Sequence, residues 1–336
     1  MFKDVIVRST GHYVPERVLT NQDWEQILDT TDQWITERTG IKERRLAAPG
    51  QTNSDMGLQA ARQCLERAEV DPADVDVVIV PTVTPDTVFP ATANWIQGKL
   101  GNKSGWSFDL NAGCSGYVYA LNVAYNMLRG GQHRYALVIG TEKMTALADM
   151  TNRDHCVLFG DAAAALLLEG VDPADNTEGF GIKDFYLRTD GTLTDILMQQ
   201  AGGSNKPASY KTVAAHEHFI YMEGQAVFKQ AVRHMYEAVI EVLKQVEVDP
   251  QEVDWFVAHQ ANQRIIRSTQ QRLKVPEERV YLNVQRYGNT TAATIPLCLD
   301  ELWVDGKLKP GDKVVLFTFG TGMTWGSTYL VWGGQR

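Results

Sequence analysis

The chain has 336 residues, 44% of them hydrophobic and 22% charged, with 28 Gly and 12 Pro. That composition excludes disorder, collagen and coiled coil, and the length allows about two domain-sized units of ~100–200 residues. Lys and Arg total 32 against 41 Asp and Glu, and the resulting charge of -9 opposes whole-surface attraction to nucleic acid or anionic lipid.

Taken in chain order, strands are expected at 5–9, 77–81, 106–110, 135–140 and 163–169, and helices at 54–68, 92–100 and 115–129. The runs at 77–80 and 135–139 are continuously apolar, as in strands buried on both faces, and Gly130-Gly131 closes the third helix. A long amphipathic helix over 224–246 opens a second series. It continues with strand 255–258, helices 262–273 and 292–304, and strands 314–319 and 327–332. Two excursions interrupt the alternation: 10–51, with Trp24, Trp34, Arg38, Arg44 and Arg45, and the polar, Gly-rich 190–209, read as the connection between halves.

The second series repeats the first. Residues 69–80 match 247–258 at six of twelve positions, and the same offset of 178 lays 134–140 on 312–318. A duplicated α/β unit follows, with an N-terminal half at 1–190 and a C-terminal half at 191–336. No stretch approaches the ~20 apolar residues of a membrane helix, and the first residues lack a long apolar leader, so a cytoplasmic protein is expected. Cys64, Cys114, Cys156 and Cys298 are far apart and never form CxxC, which suggests reduced thiols and no metal centre. His216 and His218 flank Glu217 without a third ligand, and Gly320-Thr321-Gly322 misses the spacing of a dinucleotide-binding loop.

The segment 108–117 is a strand turning through small residues into a helix, with Cys114 at the turn. Free N–H groups and the helix dipole at such a place favour a thiolate and lower its pKa. A small, buried structural cysteine would read the same way. Adding the offset takes Asn111 to Asn289, in another polar turn opening a helix, and Pro81 to His259, just past a buried strand. Pseudo-twofold packing would bring Cys114, His259 and Asn289 together.

Asn111-Ala112-Gly113-Cys114-Ser115-Gly116, His259-Gln260-Ala261-Asn262, Gly288-Asn289-Thr290-Thr291-Ala292-Ala293 and the terminal 320–327 closely resemble the beta-ketoacyl-acyl carrier protein synthase III family of bacterial fatty-acid synthesis. Residues 32–41 and 159–163 extend the resemblance over nearly the whole chain. It implies a duplicated thiolase-like fold in α/β/α/β/α layers, a homodimer, and no cofactor, acyl-CoA being a substrate. It further implies that Cys114 takes an acyl group from a short acyl-CoA such as acetyl-CoA. Malonyl-acyl carrier protein then loses CO₂, and its enolate, held by His259 Nε2–H and the Asn289 amide, attacks the acyl-Cys.

Backbone N–H groups of Cys114 and Thr321 are the implied donors to the second oxyanion. Thr321 departs from the family's three glycines, and a β-branched residue tolerates positive φ poorly, so this loop is the point of greatest expected difference. It keeps open a relative with another acyl acceptor. The resemblance also assigns Trp34, Arg38 and Arg153 to CoA, and Phe89 to an acyl pocket closed across the dimer. Carrier-protein docking is expected at Arg264, Arg267, Arg272 and Lys274. A cysteine hydrolase lacks the duplication, and a non-catalytic binding subunit would not need Cys114.

Overall fold

The structure is a computed structural model that describes residues 2–334. Among these the strands, in chain order, are β1 (Asp4–Tyr13), β2 (Arg17–Thr20), β3 (Glu43–Leu46), β4 (Val77–Pro81), β5 (Trp106–Leu110), β6 (Tyr135–Lys143), β7 (Asp161–Val171), β8 (Gly181–Thr189), β9 (Leu197–Gln199), β10 (Ile220–Met222), β11 (Trp255–Ala258), β12 (Lys313–Gly320) and β13 (Thr324–Val331). One sheet runs β1-β7-β6-β4-β5 and the other β11-β12-β13-β8, while β2 with β3 and β9 with β10 form two small ribbons. Parallel pairing joins β4 to β5 and β6, and β11 to β12; the remaining pairs are antiparallel.

Five layers result because the central strands are apolar on both faces. Val77 and Ile79 of β4 face an inner core, and Val78 and Val80 face an outer one. On β12, Val314 and Leu316 point inward, whereas Val315 and Phe317 point outward. The inner core holds helices Gly116–Arg129 and Thr294–Val304 between the sheets, through Leu121, Leu128, Leu299 and Leu302. Helices Asn53–Ala68 and Thr92–Leu100 cover the first sheet's outer face, and Gly224–Gln245 and Gln263–Leu273 cover the second's.

The sequence reading has no strand at 181–189, yet β8 lies there, paired to β13. Lys183, Asp184 and Arg188 break its apolar pattern, which an edge strand tolerates because only one side pairs. Sheet membership therefore changes in the turn before Gly181, ahead of the expected division at 190. The second sheet also lacks a counterpart of β5. The equivalent residues form helix Val284–Tyr287, and a single parallel bridge from Phe256 to Val280 marks the missing strand.

Candidate active site

The ends of β5 and β12 and the starts of the two central helices meet at one cavity of about 690 Å³, lined by Cys114, His259 and Asn289 together. Cys114 sits in a 3₁₀ turn, Gly113–Ser115, ahead of helix Gly116–Arg129. Gly113 is required there twice over. Its φ is +55°, and a Cβ would lie 2.4 Å from Thr321 Cγ2. The turn is tied to the C-terminal hairpin by Thr318 Oγ1 donating to Cys114 O (3.0 Å), Ser115 Oγ to Thr324 O (3.0 Å) and Thr324 Oγ1 to Ala112 O (3.0 Å). Gly320 comes so close that a Cβ on it would stand 2.6 Å from Cys114 N.

Of the four cysteines only Cys114 lines the cavity; Cys64, Cys156 and Cys298 are buried elsewhere. Its thiol differs from the expected lowered pKa. Burial, with a smaller contribution from the Glu142 carboxylate, pushes it up to about 12. Desolvation outweighs the turn's N–H groups because the surrounding wall, including Val83, Met144, Phe159 and Phe319, is largely apolar. The resting nucleophile is thus a neutral thiol, and attack on a thioester needs a proton acceptor.

His259 follows β11, with its N–H donated to Phe317 O at 2.9 Å. Its ring is buried, and burial lowers its pKa to about 3, so it is neutral at physiological pH. Nδ1 lies 2.8 Å from Thr294 Oγ1, while Nε2 has no hydrogen-bond partner among the described residues. Asn289 Oδ1 accepts the Thr291 N–H at 2.9 Å, leaving Nδ2 as the donor end of the amide. Thr321 does not carry the expected strain. It is absent from the positive-φ residues, and the left-handed backbone falls on Gly322 (φ +128°) and, across the site, on Thr291 (φ +49°). Thr321 Oγ1 instead donates to Leu197 O, tying the loop to β9.

Trp34 and Arg38 line the cavity, and both Arg38 and Arg153 stack on the Trp34 ring, at 4.5 and 5.4 Å from its centroid. Arg153 also pairs with Asp29. Asn262 caps helix Gln263–Leu273 and donates to Arg38 O at 2.9 Å, so this helix and helix Asp32–Thr39 flank one opening. Of the four expected docking residues, Arg264 reaches the cavity and stacks on Phe228. Arg267 pairs with Glu277 at 2.6 Å, and Arg272 stacks on Tyr236 and donates to Val232 O. Lys274 ends the helix in a left-handed cap. Phe89 lies outside the cavity, 84% exposed beside the 89% exposed Val88, which excludes core packing within this chain.

His216 Nδ1 pairs with Asp149 Oδ2 at 2.6 Å and His218 Nε2 with Thr212 Oγ1 at 2.9 Å, so the two imidazoles serve different partners. Sequence reasoning missed the wall built by Leu197, Met198, Ile220 and Met222, residues placed in or beyond the connection. It also missed Glu142, fully buried, whose carboxylate accepts from Val83 and Thr84 N–H groups and from the Thr82 hydroxyl; burial raises its pKa to about 7. A carboxylate ending an apolar strand was the available signal.

Two family models match, described as 3-oxoacyl-[acyl-carrier-protein] synthase III over residues 108–191 and as the C-terminal part of that enzyme over 243–332. A beta-ketoacyl-[acyl-carrier-protein] synthase III of Caldanaerobacter subterraneus is 45% identical, with 97% of each chain covered. The crystal structure of the synthase III from Thermus thermophilus superposes with a TM-score of 0.90 at 40% identity, covering 98% of this chain and all of the other. The priming beta-ketosynthase of the R1128 polyketide pathway reaches a TM-score of 0.91 at 33% identity, covering 100% of this chain and 98% of the other.

Proposed function

Because the chain belongs to the beta-ketoacyl-[acyl-carrier-protein] synthase III family, we propose that it condenses a short acyl-CoA, acetyl-CoA in the first instance, with malonyl-acyl carrier protein. The product is a 3-oxoacyl-carrier protein with release of CO₂ and CoA, the initiating step of fatty-acid synthesis. The observation that carries this reading is the convergence of Cys114, His259 and Asn289 on one cavity. A thiol alone would serve any acyl transfer; a thiol that shares its cavity with two enolate-binding groups suits decarboxylation.

In the first half-reaction Cys114 Sγ attacks the thioester, the oxyanion forms against the N–H groups of Cys114 and Thr321, and CoA leaves. Trp34, Arg38 and Arg153 hold the nucleotide end, a flat indole and two guanidiniums suiting a base and its phosphates. In the second half-reaction the malonyl thioester loses CO₂, its enolate oxygen sits between Asn289 Nδ2–H and His259 Nε2–H, and the carbanion attacks the acyl carbon. Arg264 beside the opening is the leading contact for the acidic carrier protein; Arg267, Arg272 and Lys274 lie along the same helix. A homodimer accounts for the exposed Val88 and Phe89, with Phe89 closing the partner's acyl pocket and limiting chain length. No metal or resident cofactor takes part in this scheme. A cytoplasmic setting fits the enzyme's soluble substrates; no helix among the described residues is long and apolar enough to cross a membrane.

Intact-protein mass spectrometry after exposure to a panel of acyl-CoAs, followed by ¹⁴CO₂ release from labelled malonyl-carrier protein, tests both halves. An acyl adduct without CO₂ would favour a second reading, an acyltransferase of a specialised pathway. Thr321 and the likeness to a priming ketosynthase keep that reading in view.

A further inference from the structure

The hydrogen bonds around His259 determine which ring nitrogen carries the proton. Thr294 Oγ1 lies 2.9 Å from Thr291 O and 2.8 Å from His259 Nδ1. A carbonyl cannot donate, and a hydroxyl has one hydrogen. If that hydrogen pointed at Nδ1, the Thr294 and Thr291 oxygens would face each other at 2.9 Å with nothing between them. The consistent arrangement has Thr294 Oγ1–H donating to Thr291 O and accepting from His259 Nδ1–H. The Thr291 carbonyl is aimed by a left-handed backbone, φ +49°, that a β-branched residue adopts only under constraint. Nε2 is then the lone-pair nitrogen, and it is the ring atom left without a partner.

We propose that Thr294 is a positioning residue that holds His259 as the Nδ1–H tautomer, so that Nε2 shuttles the protons of both half-reactions. The proposal rests on the condensing reaction above. In acylation, Nε2 takes the Cys114 Sγ proton as the Sγ–acyl bond forms, and returns it to the CoA sulfur as the acyl–CoA bond breaks. Condensation consumes one proton, which enters from solvent onto Nε2 as the malonyl carboxylate binds. That Nε2–H faces the enolate oxygen while the C–CO₂ bond breaks. The enolate carbon then bonds to the acyl carbon, the acyl–Sγ bond breaks, and the proton passes to Cys114 Sγ. The ring ends as it began, neutral and protonated at Nδ1, so the expected Nε2–H donor exists only in the loaded enzyme.

The test is ¹⁵N NMR of the free enzyme labelled at histidine, with the His259 signals identified by their loss in His259→Gln. The expected spectrum shows Nδ1 protonated and Nε2 bare; a protonated Nε2 in the free enzyme overturns the proposal, whether or not the condensing activity stands. In turnover assays, Thr294→Val is expected to lower kcat on the order of 10²-fold with little change in the acyl-CoA KM, the low end for a positioned proton-transfer group. Thr294→Ser should recover most of that loss. Equal losses in both variants, or a loss confined to KM, count against the hydroxyl. Absence of an acyl adduct and of CO₂ in the unmodified enzyme would instead refute the proposed function.

Discussion

Residues 111–116 and 289–294 are the same turn built twice, 178 positions apart. In each, an asparagine Oδ1 accepts the N–H two residues on: Gly113 at 3.3 Å from Asn111, and Thr291 at 2.9 Å from Asn289. Each passes through a left-handed residue at the same place, Gly113 at +55° and Thr291 at +49°, then one 3₁₀ turn, then a central helix beginning at Gly116 or Thr294. The side chains divide the labour. The first copy presents Cys114 where the second has Ala292, and both asparagines line the cavity, Asn289 buried and Asn111 exposed. The duplication teaches that one backbone device, an Asx turn feeding a helix, can hold either a nucleophile or a buried amide donor, depending on the residue type at the turn and on how deeply the asparagine is buried.

Exchanging the roles should fail most severely at the nucleophile. Cys114→Ser is expected to abolish the acyl adduct seen by mass spectrometry, with Cys64, Cys156 and Cys298 unmodified; an adduct on any of those three would remove the first copy from the chemistry. Next in size, Asn289→Ala should cut CO₂ release by about 10²–10³-fold, as for loss of one oxyanion donor, while Cys114 still acylates. Asn111→Ala, its counterpart, should cost about 1 kcal/mol of stability through the lost turn bond and leave decarboxylation of the acylated enzyme within a few-fold. Equal effects in the two alanine variants would break the asymmetry.

Gly113→Ala adds a methyl against Thr321 Cγ2 at a positive φ, and a loss on the order of 1–3 kcal/mol is expected in denaturant unfolding. Thr321→Gly in the same chain should recover the steric part and leave the backbone part, a separation that a double-mutant cycle reads directly.

Glu142 lies between the copies: its charge raises the Cys114 thiol, and its carboxylate is hydrogen-bonded to the Ala292 backbone. Its pKa rises from 4.5 to about 7 on folding, so between those values the native state binds the extra proton, and this contribution to stability is lost as pH rises. Glu142→Gln should flatten the stability slope between pH 5 and 7 by up to roughly 3 kcal/mol in total. An unchanged slope would mean that the carboxyl stays ionised throughout. The smallest effect is expected for Thr291→Gly, which removes both an unfavourable φ and a buried hydroxyl that has no hydrogen-bond partner. Unfolding should be unchanged or harder by about 1 kcal/mol, while condensation slows because the carbonyl that sets Thr294 is less constrained.

Much of this comparison is legible in the sequence itself. The offset led from Asn111 to Asn289 and from Pro81 to His259, because side-chain chemistry and strand hydrophobicity repeat along a chain whatever its tertiary contacts. Trp34, Arg38 and Arg153 could be grouped only by resemblance; the stacking of both guanidiniums on one indole is a tertiary fact. β8 escaped because an edge strand needs no continuous apolar run. The tolerance of Thr321 escaped because φ at one loop residue is set by the partners of the whole hairpin.

By itself, then, the sequence determined the duplicated α/β architecture, the identity of the three converging side chains and the family, all of which rest on local pattern and on residue type. Only the tertiary structure decided their protonation. A thiol beside a helix start reads as activated from local features, but its ionisation depends on solvent exclusion by walls drawn from both halves of the chain. The resting proton of His259 depends likewise on one hydroxyl thirty-five residues away, Thr294, held by the carbonyl of Thr291. Electrostatics and hydrogen-bond direction act through space, so they appear only when the fold has brought those groups together.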